Sequence, residues 1–142
     1  MTSKEYLMQV QRLNILIDQR IKEKDALRNF DLISGIDYSQ DKVQTSHSSD
    51  AIFVKVIEKI IEIESEVNRL IDEYVSLKNK IIGEIQMLQN PQYIQILYKK
   101  YVEFKQLKVI AVEMNYSYNY IKRIHGCALL DFGKQFIKDR TQ

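Results

Sequence analysis

The sequence is short of the residues that interrupt helices and of those that build special chemistry. Its 142 residues include one proline and four glycines, and a chain with so few tight-turn formers is expected to avoid sheet-rich folds and to favour long helices. Cys127 is the lone cysteine, which excludes an internal disulfide and suits a reducing, cytoplasmic setting. In a helix it reads as a small filler and not as a reactive thiol. No apolar run approaches the ~20 residues of a membrane span, and no apolar segment follows the first charges as in a secretion signal. No glycine-rich phosphate loop occurs. His125 and Cys127 stand two apart, so on a helix they point to different sides, and no third ligand assists them. His47 reads as a solvated loop residue. The acidic pairs Glu62/Glu64 and Asp72/Glu73 read as a solvated helix face. No active site, metal site or cofactor is expected, and no membrane partner.

What is present is a charged chain with an ordinary share of apolar residues: 28% and 45% respectively, as expected of a globular or coiled protein. Its formal charge of +2 is unevenly spread. From Tyr98 onward nine Lys/Arg stand against four Asp/Glu, a balance of +5, and the rest carries twelve against fifteen, a balance of −3. A basic end on a slightly acidic body suits a chain that touches phosphates at one end.

In chain order, Ser3 to Arg28 reads as an amphipathic helix with apolar residues at Tyr6, Val10, Leu13, Ile17 and Leu27, and Thr2 and Glu5 are spaced as a capping box. Arg20 and Lys24 interrupt its seam. Residues 31–50, with Gly35 and many Asp, Ser and Thr, read as a loop. From Ala51 to about Gln89 the heptads are regular. Phe53, Ile60, Val67, Tyr74, Ile81 and Leu88 stand seven apart, and Val56, Ile63, Leu70 and Leu77 follow three residues behind the first four, a coiled-coil pattern. Ile57, Ile71 and Ile85 widen the stripe, so this helix is expected to meet more than one neighbour, either the C-terminal part or another subunit. Glu84 breaks the second series. Asn90-Pro91 marks a boundary, and a further helix is expected from Gln92 to about Val102. The expected architecture is all-α: an antiparallel helical hairpin over 1–89 with a loop at about 31–50, then a C-terminal domain over 90–142.

The stretch from Phe104 to Phe132 organises that second domain. Leu107, Ile110, Ala111 and Met114 keep helical spacing, and Asn115-Tyr116-Ser117 then breaks it. Asn tolerates a left-handed turn, and Ser117 suits the N-cap of a following helix. That helix, about 118–132, sets Ile121, Ile124, Ala128 and Leu129 on one face and leaves Tyr118, Asn119, Lys122 and Arg123 outward. An apolar back with a polar, basic front is the outline of a recognition helix.

The run from Leu107 to Leu129 resembles region four of bacterial primary sigma factors. Small Ala111 stands where the helices cross and Asn115 at the turn. Ile110, Tyr116, Ile121 and Ile124 stand at the apolar positions. The longer chain resembles small phage transcription regulators of the ArpU- and RinA-like group, which carry a coiled N-terminal region, a middle segment like Asp41-Lys-Val-Gln-Thr-Ser46, and a C-terminal sigma-like motif.

That resemblance implies a DNA-binding transcriptional regulator, a phage or prophage late-gene type acting in the cytoplasm of a bacterial host. Its partners would be double-stranded DNA and RNA polymerase; a single helix-turn-helix gives limited contact and paired half-sites are the usual remedy, so a homodimer is expected. It implies that Tyr118, Asn119 and Arg123 read base edges and that Tyr120 and Lys122 lie near phosphates. Ser117, Lys105 and Lys108 complete the candidate DNA-binding set. Asn can pair two-point with adenine and Arg with guanine. For Tyr116 and Tyr120 packing is the preferred reading. The sigma pattern has Arg and Glu where Tyr118 and Asn119 stand, so a standard promoter element is not the expected target. Gly126 is a second departure. Two other readings stay open: a small terminase-like DNA-packaging subunit, and a coiled-coil adaptor that binds a protein and no DNA.

Overall fold

The computed structural model describes residues 1–37 and 46–137, with side chains described outside 30–49. Among these residues the fold is all-α. Five α-helices follow one another: α1 (Ser3–Asp37), α2 (Ser46–Gln86), α3 (Pro91–Leu97), α4 (Leu107–Met114) and α5 (Tyr118–Phe132). One π-helical turn, Tyr98–Val102, extends α3, and another, Gly133–Ile137, extends α5. Among the described residues no helix is long and apolar enough to cross a membrane.

Two expectations need correcting. The loop expected over 31–50 is largely helix: α1 runs on to Asp37 through Gly35, and α2 begins at Ser46. Only 38–45 separate them, and these residues, with most of the Asp41–Ser46 segment, lie outside the described ones, as does the side chain of His47. Polar residues and one glycine weaken a helix by tenths to about 1 kcal/mol each, too little to end one with 27 residues before Phe30 already in register. The boundary expected at 89/90 also shifts. The compact units are Ile15–Asp72, and Met1–Asn14 with Glu73–Gln142.

In the unit Ile15–Asp72, α1 and α2 lie antiparallel. Arg20 bonds Glu66 at 3.1 Å and Arg28 bonds Glu64 at 2.9 Å, with Lys24 4.0 Å from Glu64. The cations that interrupt the α1 seam thus meet carboxylates on α2. Ile63, Val67 and Leu70 are buried here, as their heptad positions require.

In the other unit the two ends of the helical pair join the C-terminal helices in one core. Tyr6, Leu7 and Val10 of α1, and Ile81 and Ile85 of α2, pack with Leu88, Leu97, Tyr101, Val102, Ala128 and Phe132. Thr2 and Glu5 form the capping box at the start of α1, with Thr2 N donating to Glu5 Oε2 at 2.9 Å and Glu5 N to Thr2 Oγ1 at 3.2 Å. Glu84, which broke the heptad series, is buried and accepts a hydrogen bond from the Tyr6 hydroxyl at 2.6 Å. The seam is therefore polar at this one layer because a tyrosine on α1 faces it. Asn90 caps α3, its Oδ1 accepting from Gln92 N at 2.9 Å, and Pro91 opens the first turn. After the π-helical turn the chain reverses at Phe104, a bulky residue with φ 61°. That backbone is uncommon for such a side chain; here the Phe104 ring packs on the core and Lys105 N donates to Lys99 O at 3.0 Å.

Candidate nucleic-acid interface

Helices α4 and α5 are joined by a turn built as the residues dictate. Asn115 ends α4 in the left-handed region, φ 60° and ψ 39°, and Tyr116 N closes back on Ala111 O at 3.0 Å. Ser117 is extended, and its Oγ accepts from Tyr120 N at 3.1 Å, satisfying an amide that the first turn of α5 leaves open. A second small core fixes the crossing: Ile96 of α3, Ile110 and Ala111 of α4 and Ile121 of α5 are buried together, with Leu107, Met114, Tyr120 and Ile124 against them. Both α3 and α4 pack on α5. Ala111 leaves the space for that approach.

The opposite side of the turn is polar and cationic. Tyr118, Asn119, Lys122 and Arg123 are exposed, as is Lys108 on α4. Two ammonium groups lie near the Tyr118 ring, Lys122 Nζ at 4.8 Å and Lys108 Nζ at 5.7 Å from its centre. The Arg123 guanidinium lies 5.4 Å from the Tyr120 ring centre. Asn119 and Arg123 are four residues apart on α5 and so are neighbours along it, as are Tyr118 and Lys122. The turn thus presents three cations, an amide and a phenol from the start of one helix and its neighbour.

Three members of the candidate set have other partners. Lys105 bonds Glu113 at 2.8 Å and Glu103 at 2.8 Å, and Lys99 bonds Glu113 at 2.8 Å. Hydrogen bonds from Lys105 and then Lys99 hold the Glu113 carboxyl below its ordinary range, and the bonds to Glu103 and Glu113 hold the Lys105 ammonium above its own. Tyr120 is partly buried against the small core; its hydroxyl donates to Gln92 Oε1 at 3.2 Å, and its ring lies 4.8 Å from that of Tyr116. Gln92 Nε2 donates in turn to the Tyr116 hydroxyl at 3.1 Å. Ser117 uses its oxygen as the cap. The structure therefore brings together Tyr118, Asn119, Lys108, Lys122 and Arg123, and gives Lys105, Tyr120 and Ser117 structural contacts. Gln92 and Glu113 were not legible as parts of this region, since their partners lie 8 to 28 residues away in sequence.

Behind the helix, the His125 Nε2 lies 2.8 Å from the Tyr101 hydroxyl, with the rings stacked. Burial first, and then the charges of Lys100 and Lys4, push the imidazole down to about 4; burial pushes the Tyr101 phenol up to about 12. Both groups are neutral near pH 7, which suits a packed polar pair. Cys127 is half-buried, and among the described residues no cluster of His, Cys, Asp or Glu could hold a metal ion. No protein-family model, curated protein or solved structure matches the chain.

Proposed function

We propose that the protein is a sequence-specific DNA-binding transcriptional regulator in which α4, its turn and α5 act as a helix-turn-helix. The observation that carries this reading is the turn. Asn115 in the left-handed region and Ser117 as cap set the start of α5 so that its apolar side meets α3 and α4 while Tyr118, Asn119, Lys122 and Arg123 face outward. A helix whose N-terminal residues are free and cationic, backed by a supporting helix, fits the major groove of a duplex. Within it Asn119 and Arg123 would meet base edges, because both can form two-point hydrogen bonds with a purine. Lys108 and Lys122, point charges beside the Tyr118 ring, would meet the phosphate backbone. The resemblance to sigma region four and to phage late regulators supports the same assignment, and the α1–α2 pair would set the oligomeric state or touch RNA polymerase.

Equilibrium titration of a mixed-sequence duplex by fluorescence anisotropy at several salt concentrations tests the phosphate half of this reading. Binding that weakens with salt, with a log–log slope reduced by about 1 in Lys108→Ala and again in Lys122→Ala, is expected from counterion release. Affinity that stays at the level of an unrelated protein of equal charge would favour an adaptor that binds protein and no DNA.

A further inference from the structure

Helix α2 carries two apolar stripes within the unit Ile15–Asp72, and only one of them is covered. Ile63, Val67 and Leu70 are 1%, 6% and 6% exposed, whereas Ile57, Ile61 and Ile71 are 37%, 59% and 39% exposed. The exposed residues keep coiled-coil spacing. Ile57 and Ile71 stand two heptads apart with Glu64 midway, and Ile61 is followed one heptad on by Asn68. The second stripe therefore reads Ile57, Ile61, Glu64, Asn68, Ile71: isoleucines at both ends and two polar residues in the middle.

We propose that this stripe is where a second copy of the chain docks, α2 against α2, antiparallel, about a twofold axis beside residue 66. From Ile61 to Ile71 the pattern is its own complement in that orientation. Ile61 and Ile71 lie five residues to either side of 66, and Glu64 and Asn68 two to either side. Each Ile61 then faces the partner's Ile71, and each Glu64 carboxylate faces the partner's Asn68 amide, which donates to it. A surface that matches itself under a twofold rotation is the signature of an isologous dimer, whereas a foreign partner would have no need of the symmetry.

Charge selects the orientation. A parallel pair would set each Glu64 directly opposite the partner's Glu64, a repulsive arrangement; the antiparallel pair replaces it with two amide–carboxylate bonds, and such a polar layer fixes register. Glu64 is also prepared for partial burial. Arg28 and Lys24 of its own chain reach its Oε1 at 2.9 and 4.0 Å, so covering the stripe leaves no unpaired carboxylate. This dimer does not depend on DNA binding, and a chain that bound no duplex would still form it.

The test is disulfide trapping in the full chain with Cys127→Ser as background. Ile61→Cys and Ile71→Cys are oxidised mildly, each alone and as an equal mixture. A crosslink that forms mainly in the mixture is expected. Each variant crosslinking with itself as fast as in the mixture would overturn the antiparallel register, and no crosslink in any sample would overturn the interface. Sedimentation supplies a second readout that a folding defect would not mimic. Asn68→Asp, an exposed change, should weaken self-association about tenfold with unaltered helicity, and an unchanged dissociation constant would count equally against the proposal.

Discussion

Among the described residues, the imidazole of His125 is strongly altered by its surroundings, and the consequence belongs to stability and not to the outward face of α5. Its folded value of about 4 lies below the ordinary 6.5, so between those values the unfolded chain binds a proton that the folded chain does not. The stability it contributes is fully present above about pH 6.5 and is lost as the pH falls from there to about 4. The group is partly exposed, so the loss should be modest, about 1–2 kcal/mol. Thermal unfolding between pH 7.5 and 4 should show it, and His125→Phe should flatten that part of the profile. A slope identical in wild type and variant would remove His125 as its source. Residue-scale contacts also separate the lysines. Lys105 already serves Glu103 and Glu113, so Lys105→Ala should change the salt slope of duplex binding less than Lys108→Ala or Lys122→Ala. At this scale Asn115 and Ser117 were legible, because their roles are local: a turn conformation and a cap three residues from its amide. Packing was the preferred reading for Tyr120, and it does pack on the small core, but its glutamine partner and the carboxylate that engages Lys105 were not legible, because both come from other elements.

At the scale of elements, α5 carries one addition and one weakness. The Ser117 cap satisfies an amide that α5 cannot satisfy itself, and Ser117→Ala should cost about 1 kcal/mol in chemical denaturation. Gly126 is exposed, inside α5, and a Cβ built there meets nothing within 4 Å. No close packing requires the glycine, so Gly126→Ala should stabilise the protein by about 1 kcal/mol; a loss of stability would show that α5 is strained in a way its geometry does not reveal. The departure from the sigma-like pattern at 126 is thus a propensity defect in an open position. Helix starts were readable from the capping box at Thr2, the proline at 91 and the cap at Ser117. The end of α1 was not, since composition suggested a loop where the helix continues to Asp37. The reversal at Phe104 was also invisible, because a left-handed phenylalanine is held by its packing and by no sequence signal.

At the scale of the molecule, periodicity was enough to give an all-α fold and to mark the heptads of α2, but it could not show where the units divide. The proline at 91 breaks a helix without ending a unit. Tyr6 and Glu84 meet across 78 residues, and Ile81, Ile85 and Leu88 share a core with Phe132, so the turns of α1 and α2 nearest the C-terminal helices belong with them. Truncation at residue 89 should therefore expose that core. A fragment beginning at Pro91 is expected to be largely unfolded by circular dichroism, whereas a stable, helical 91–142 fragment would contradict the shared core.

The proposed function turns on whether the start of α5 reads base edges. The measurement that tests it most directly is a binding selection from random duplex DNA at fixed salt, comparing the full-length protein with its Asn119→Ala/Arg123→Ala variant. An enriched motif is expected, one that the double variant loses while keeping a weak, salt-sensitive affinity through Lys108 and Lys122. No enrichment by the wild type, or a motif that both proteins share, would contradict it.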